Sequence, residues 1–227
     1  MSPVITVKRT ARYETLGHFD VPVRELWFVL HGYGQLASSF IQTFAALDDG
    51  TRLIVAPEAL NRFYLGGVEG TPAADRPVGA TWMTREDREN EIEDYVGYLD
   101  AVAATVRNAL RAHPVSPRVI VLGFSQGAAT AARWVARRSV RCAHLVLWGG
   151  SLPPELTWPA PNVKTSPALH LVIGSRDRFV TPERLAEEEA RLRAASVPHR
   201  LLRYEGGHAI DQQTLGDLAR TLSDAGA

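Results

Sequence analysis

Cysteine is nearly absent from this chain. Cys142 is the only thiol among 227 residues, which excludes an internal disulfide framework and any all-cysteine metal site. It precedes an apolar, strand-like run, and a buried, inert thiol is expected there. An excess of charge is also missing: 25 Lys+Arg balance 25 Asp+Glu, for a formal net charge of zero. A protein that tracks phosphates needs a basic surface, so no nucleic-acid partner is expected. Lysine is confined to Lys8 and Lys164, which reads as genome composition rather than function. No apolar run approaches the roughly 18 residues of a membrane span. Met1–Thr10 holds only the short run Val4–Val7 and no signal-peptide h-region. A cytoplasmic protein, monomer or homodimer, is the resulting expectation.

What is present is an alternation of short apolar runs and helical patterns. Leu26–Leu30, Leu53–Val55, Val119–Leu122, Leu145–Leu147, Leu169–Ile173 and Leu201–Tyr204 read as strands. Strands apolar throughout are buried on both faces, as in a parallel sheet covered by helices. Between them, Ala37–Leu47, Glu91–Ala112 and Ala128–Arg138 read as helices, with another opened by Thr181-Pro182 and a last one from about Asp211. In the longest, Ile92, Tyr95, Val96, Leu99, Val102, Val106 and Leu110 keep the spacing of one buried face. Repeated strand–helix units predict a doubly wound α/β sheet with helices on both faces, in a single domain over residues 1–227. Ile5–Lys8 and Arg12–Thr15 alternate instead, and are expected as antiparallel edge strands. Residues 57–84 hold several Gly and Pro without a sustained period, and read as an irregular excursion of the functional kind.

Gly123-Phe124-Ser125-Gln126-Gly127 matches G-x-S-x-G between an apolar strand and an Ala-rich helix. A nucleophilic serine needs a very sharp strand-to-helix turn to lift its hydroxyl above the sheet edge. Side chains two residues to either side would collide in that turn, so Gly123 and Gly127 make room. The pentapeptide alone is only a hypothesis; its strand–turn–helix setting strengthens it.

A serine hydroxyl needs a base, and in this arrangement the chain order is Ser, acid, His. Three histidines lie far enough downstream. His170 falls inside an apolar strand and His199 at a strand start, whereas His208 follows Gly206-Gly207 in a loop at the expected sheet edge. For the acid, Asp177 sits in Gly174-Ser175-Arg176-Asp177 beyond a strand, at the carboxyl edge where open α/β sheets bind ligands. Asp211 competes but suits an N-cap of the last helix, and Glu205 is expected to point away. Donors for an oxyanion would be the N–H groups of Tyr33, in His31-Gly32-Tyr33-Gly34-Gln35, and of Gln126. His31 reads as a loop-packing residue with local hydrogen bonds.

On these residues the chain resembles the α/β-hydrolase superfamily, and more narrowly the phospholipase/carboxylesterase family that includes acyl-protein thioesterases. The similarity runs over nearly the whole chain after residue 25. It rests on Leu30-His31-Gly32-Tyr33-Gly34, Trp82, Gly123–Gly127, Asp177 and Tyr204-Glu205-Gly206-Gly207-His208. The resemblance implies a hydrolase of carboxylic esters or thioesters with no large cap domain, no cofactor and no metal. It implies Ser125, Asp177 and His208 as triad, Tyr33 and Gln126 as oxyanion donors, and Trp82 and Phe179 as acyl-site lining, with plain core packing as the other reading of those two aromatics. One residue separates Gly206 from His208 where the thioesterases have two. Asn61–Gly67 and Arg85–Arg88 also depart from them, so the acyl-chain preference does not carry over. A small-molecule carboxylic ester is the expected substrate, with acyl thioesters as the alternative and a non-catalytic binding protein as the rival class.

Overall fold

The computed structural model describes residues 3–66, 75–112, 116–137, 140–158 and 166–224. Its main sheet holds seven strands: β1 (Tyr13–Leu16), β2 (Glu25–Leu30), β3 (Arg52–Pro57), β6 (Arg118–Phe124), β7 (His144–Trp148), β8 (Ala168–Gly174) and β9 (His199–Tyr204). Their order is β1-β3-β2-β6-β7-β8-β9. All neighbours pair in parallel except β1, which runs antiparallel to β3 with Tyr13 opposite Pro57. A second, two-stranded antiparallel sheet joins β4 (Asn61–Tyr64) and β5 (Val78–Thr81).

Side-chain alternation along buried strands feeds two cores. Leu26, Phe28 and Leu30 face one side, where they meet α2 (Arg88–Ala109), α3 (Gln126–Ala136) and α4 (Pro182–Ala194). Trp27 and Val29 face the other, toward α1 (Ala37–Phe40), its 3-10 continuation Ile41–Leu47, and α5 (Gln212–Asp224). Phe28 meets Trp134 edge-on at 5.3 Å between ring centres. Both faces of the central strands are therefore sealed, as their unbroken apolar runs require. The mostly parallel sheet and its two helical layers are those of an α/β-hydrolase, and no large cap stands among the described residues.

Four expectations change. Ile5–Lys8 forms no strand. Val4, Ile5 and Val7 are 72–87% exposed, because β1 already takes the sheet edge and the preceding arm runs on across α2. Residues 57–84 are not wholly irregular, since they contain the β4–β5 hairpin; the expected loop over residues 67–74 lies outside the described residues. Only the first four residues of Ala37–Leu47 are α-helical, the rest being 3-10. The helix after Ser125 starts at Gln126, earlier than expected, and its expected end at Arg138 lies outside the described residues.

The hairpin is anchored through Glu58. Its buried carboxylate accepts from Arg12 Nε at 2.7 Å and Arg62 Nε at 2.6 Å. Burial alone would raise the Glu58 carboxyl, but the two guanidinium partners outweigh it and hold the group below its ordinary value.

Candidate active site

The site is assembled from loops at the carboxyl ends of five adjacent parallel strands. Ser125 sits between β6 and α3 with φ 55° and ψ −116°, a left-handed backbone that a serine adopts only where its surroundings force it. The forcing contacts are visible on both sides. A Cβ on Gly123 would lie 2.1 Å from the Gly127 carbonyl oxygen, and one on Gly127 would lie 2.2 Å from that of Leu30. Both glycines are thus steric requirements of the turn.

His208 Nε2 is 2.8 Å from Ser125 Oγ, and His208 Nδ1 is 2.7 Å from Asp177 Oδ2. The other Asp177 oxygen accepts the Phe179 and Val180 N–H groups at 2.8 and 3.0 Å, so the carboxylate has one orientation. Its side chain is fully buried while that of His208 is 13% exposed. The two loops are tied together, with Arg176 N–H donating to the Gly206 carbonyl at 2.8 Å. The Tyr204 hydroxyl donates to the Gly207 carbonyl at 2.9 Å, and Trp148 Nε1 to that of Ala209 at 2.9 Å. The imidazole lies between Phe124 and Phe179, with ring centres 4.9 and 4.6 Å away.

The turn after β2 lies against the serine, since a Cβ on Gly32 would be 3.2 Å from Ser125 Cβ. Three of its backbone donors are engaged. Gly32 N–H reaches Gln35 Oε1 at 2.7 Å, Gly34 N–H the Ala80 carbonyl at 2.9 Å, and Gln35 N–H the Gly32 carbonyl at 3.3 Å. Tyr33 N–H has no acceptor among the described residues. The Gln126 N–H opens α3, where the first amides lack intrahelical acceptors.

The remaining candidates fall elsewhere. His31 is fully buried, with Nδ1 2.7 Å from the Gly32 carbonyl and Nε2 accepting from Ala59 N–H at 3.0 Å; burial pushes its pKa down. His170 is buried against His144 at 3.2 Å, and His199 Nδ1 lies 3.0 Å from the Val197 carbonyl. Asp211 accepts from Thr214 N–H at 2.8 Å at the start of α5, and Glu205 turns outward to Ser175 at 3.0 Å. Trp82 is buried under the His31–Gly32 turn, donating from Nε1 to the His31 carbonyl at 2.8 Å. Its far side borders a cavity of about 830 Å³ beneath the N-terminal arm, lined also by Glu91, Asp94 and Tyr98. Phe179 is 49% exposed at the rim of the site. Cys142 is partly buried, and burial pushes its thiol up to about 12, which leaves it unreactive.

Sequence reasoning missed two contributors. Gly149 (φ 60°) follows β7, and a Cβ there would lie 3.0 Å from the His208 ring; the signal available was the Gly149-Gly150 pair beyond an apolar strand. The other is the Gln126 side chain, which sequence analysis considered only for its backbone.

No helix among the described residues is long and apolar enough to cross a membrane. Among them no group of three or more His, Cys, Asp or Glu is arranged to hold a metal ion.

Solved structures share the architecture. Esterase PE8 is 22% identical, with a TM-score of 0.68 over 95% of this chain and 99% of its own. Acyl-protein thioesterase 2 of Zea mays is 17% identical, with a TM-score of 0.69 over 95% and 99%. A phospholipase/carboxylesterase of Dyadobacter fermentans is 18% identical, with a TM-score of 0.63 over 95% and 98%. At these identities the likeness is one of fold. No curated protein sequence matches the chain. Family membership is carried by sequence: residues 18–225 match the Phospholipase/Carboxylesterase family model, and the chain belongs to that family of α/β-hydrolases.

Proposed function

We propose that this protein is a serine carboxylesterase that hydrolyses short-to-medium acyl esters through an acyl-enzyme. The observation that carries the reading is the unbroken relay from Asp177 through His208 to Ser125, with links of 2.7 and 2.8 Å. Ser125 Oγ attacks the acyl carbon while His208 Nε2 takes its proton. Asp177 holds the proton on Nδ1 and stabilises the imidazolium that forms. Negative charge gathers on the former carbonyl oxygen, where the Tyr33 and Gln126 N–H groups donate to it. Each such donor is worth on the order of 10²–10³ in turnover. His208 then returns its proton to the leaving alcohol, and water repeats the sequence on the acyl-enzyme. Phe179 forms the wall that receives the acyl chain. Trp82, buried as it is, supports the turn that carries Tyr33.

The test is hydrolysis of a chain-length series of chromogenic acyl esters, with Ser125→Ala as the blank. Activity that disappears in the variant supports the serine esterase, and the best chain length sizes the acyl pocket. Acyl thioesters, run in parallel, decide between ester and thioester preference. Equal rates in the two proteins on every substrate would sink the proposal and favour the non-catalytic reading.

A further inference from the structure

The two N–H groups proposed as oxyanion donors come from different parts of the chain, Tyr33 beyond β2 and Gln126 at the start of α3. The pairing of β2 with β6 and the close approach of Gly127 to the Leu30 carbonyl set the two turns side by side. The short stretch from Ala80 to Met83 touches both of them. On one side, Ala80 pairs with the turn after β2: its carbonyl accepts Gly34 N–H at 2.9 Å, and its own N–H donates to the Gln35 carbonyl at 3.2 Å. Gly79 lets the strands come this close, since a Cβ there would lie 2.4 Å from the Gly34 carbonyl oxygen. On the other side, the Gln126 side chain grips the same stretch. Its Oε1 accepts Trp82 N–H at 3.1 Å, and its Nε2 donates to the Met83 carbonyl and to Thr81 Oγ1, both at 2.9 Å.

We infer that residues 80–83 act as a splint between the two oxyanion donors, and that the Gln126 side chain is the positioning residue that fastens it to the nucleophile turn. The inference deepens the proposed esterase mechanism and rests on it. Every polar atom of the Gln126 amide is engaged with this stretch, so the side chain reads its backbone much as a neighbouring strand would. The residue that supplies one donor therefore also holds the element that positions the other. The neighbours of Tyr33 on its C-terminal side are bonded to Ala80, and Tyr33 N–H has no acceptor among the described residues. Trp82 adds a third fastening through its indole bond to the His31 carbonyl. An oxyanion site works because its donors are held in place before charge develops. A shift well under 1 Å between them weakens the transition state and leaves the ground-state ester, held by its acyl chain, almost unaffected.

The test uses Gln126→Met, which keeps the length and volume of the side chain and removes the amide. Three quantities are measured: kcat and KM on a chromogenic ester, the inhibition constant of an alkyl boronic acid, and the melting temperature. A boronic acid adds to Ser125 Oγ as a tetrahedral anion and so reports on the oxyanion site directly. Expected is a fall in kcat of about 10- to 100-fold with KM within about two-fold. The boronate should weaken by the same factor as kcat/KM, with melting little changed. Gln126→Glu should be slower still near pH 8, because its carboxylate repels both the Met83 carbonyl and the oxyanion. Its rate relative to wild type should recover as pH falls toward the carboxyl range, where a protonated glutamic acid again donates to Met83. A purely structural role would show neither the parallel loss of boronate binding nor this recovery. The splint is overturned if Gln126→Met keeps its kcat, or if its loss appears in KM or melting while boronate affinity holds. Wild type no faster than Ser125→Ala is a different result, and removes the esterase reading and the splint together.

Discussion

Changing Asp177 to asparagine separates its role from every competitor for it. The carboxylate is fully buried, one oxygen on His208 Nδ1 at 2.7 Å and the other on two backbone N–H groups. In Asp177→Asn the amide oxygen takes over the backbone N–H groups of Phe179 and Val180, so the loop keeps its shape. The amide NH2 then faces His208 Nδ1. A donor facing Nδ1 forces the ring proton onto Nε2, where it points at Ser125 Oγ and blocks base catalysis. The imidazolium formed during attack also loses its counter-charge. In the serine-protease triad the same exchange costs about 10⁴ in kcat, equivalent to about 5.5 kcal/mol of transition-state stabilisation. We expect a loss of that order here, measured as kcat on a chromogenic ester, with thermal melting near that of wild type. The control is Asp211→Asn. Asp211 caps α5 through Thr214, and asparagine caps as well as aspartate, so melting and turnover should both stay near wild type. A loss under ten-fold in Asp177→Asn, or a larger loss in Asp211→Asn, would refute the assignment.

Two further predictions concern the rim and the core. Phe179→Ala should raise KM for a hexanoyl ester about five-fold, the loss of roughly 1 kcal/mol of apolar contact, and change the acetyl ester less. Equal losses on both would mean that the ring, 4.6 Å from His208, holds the imidazole rather than the acyl chain. The second concerns the pair His144–His170, 3.2 Å apart in the core. Burial, His144 and Arg200 push the pKa of His170 down to about 4, and burial lowers that of His144 as well. The unfolded chain takes up protons near pH 6.5 that the folded one refuses, so stability falls as pH drops from about 6.5 toward 4. His170→Gln, which keeps a polar partner for His144, should flatten that slope by about 2 kcal/mol across the window, after allowing for solvent screening. An unchanged slope in urea denaturation would show that other groups carry the acid sensitivity.

The parts of this molecule legible in sequence are those whose physical cause is local. Gly123 and Gly127 announce the turn at Ser125 because the steric conflict that requires them arises within five residues. The existence of the main strands follows from short runs that are apolar throughout, which only a strand buried on both faces accommodates. Asp177 and His208 were recoverable because each follows a strand whose end lies on the same sheet edge, so the fold itself brings them together. What escaped was set by distant partners. The strands β4 and β5 have four residues each, and they are held by bonds from Arg62 to Glu58, between Ala80 and the Gly34–Gln35 turn, and between Thr81 and Gln126 that no spacing encodes. Ile5–Lys8 alternates as convincingly as β1, but a sheet edge accepts one strand, and pattern alone cannot say which of two candidates pairs with it. Trp82 shows the same limit. An indole near a predicted site reads equally as lining or as core, and only the His31 carbonyl at the end of its N–H places it under the His31–Gly32 turn. The candidate triad thus lay in local motifs, whereas the β4–β5 hairpin packed beside it, which touches both the turn after β2 and Gln126, is described by no motif. This hairpin is also where the chain departs from the thioesterase pattern, and it is where its own specificity should be sought.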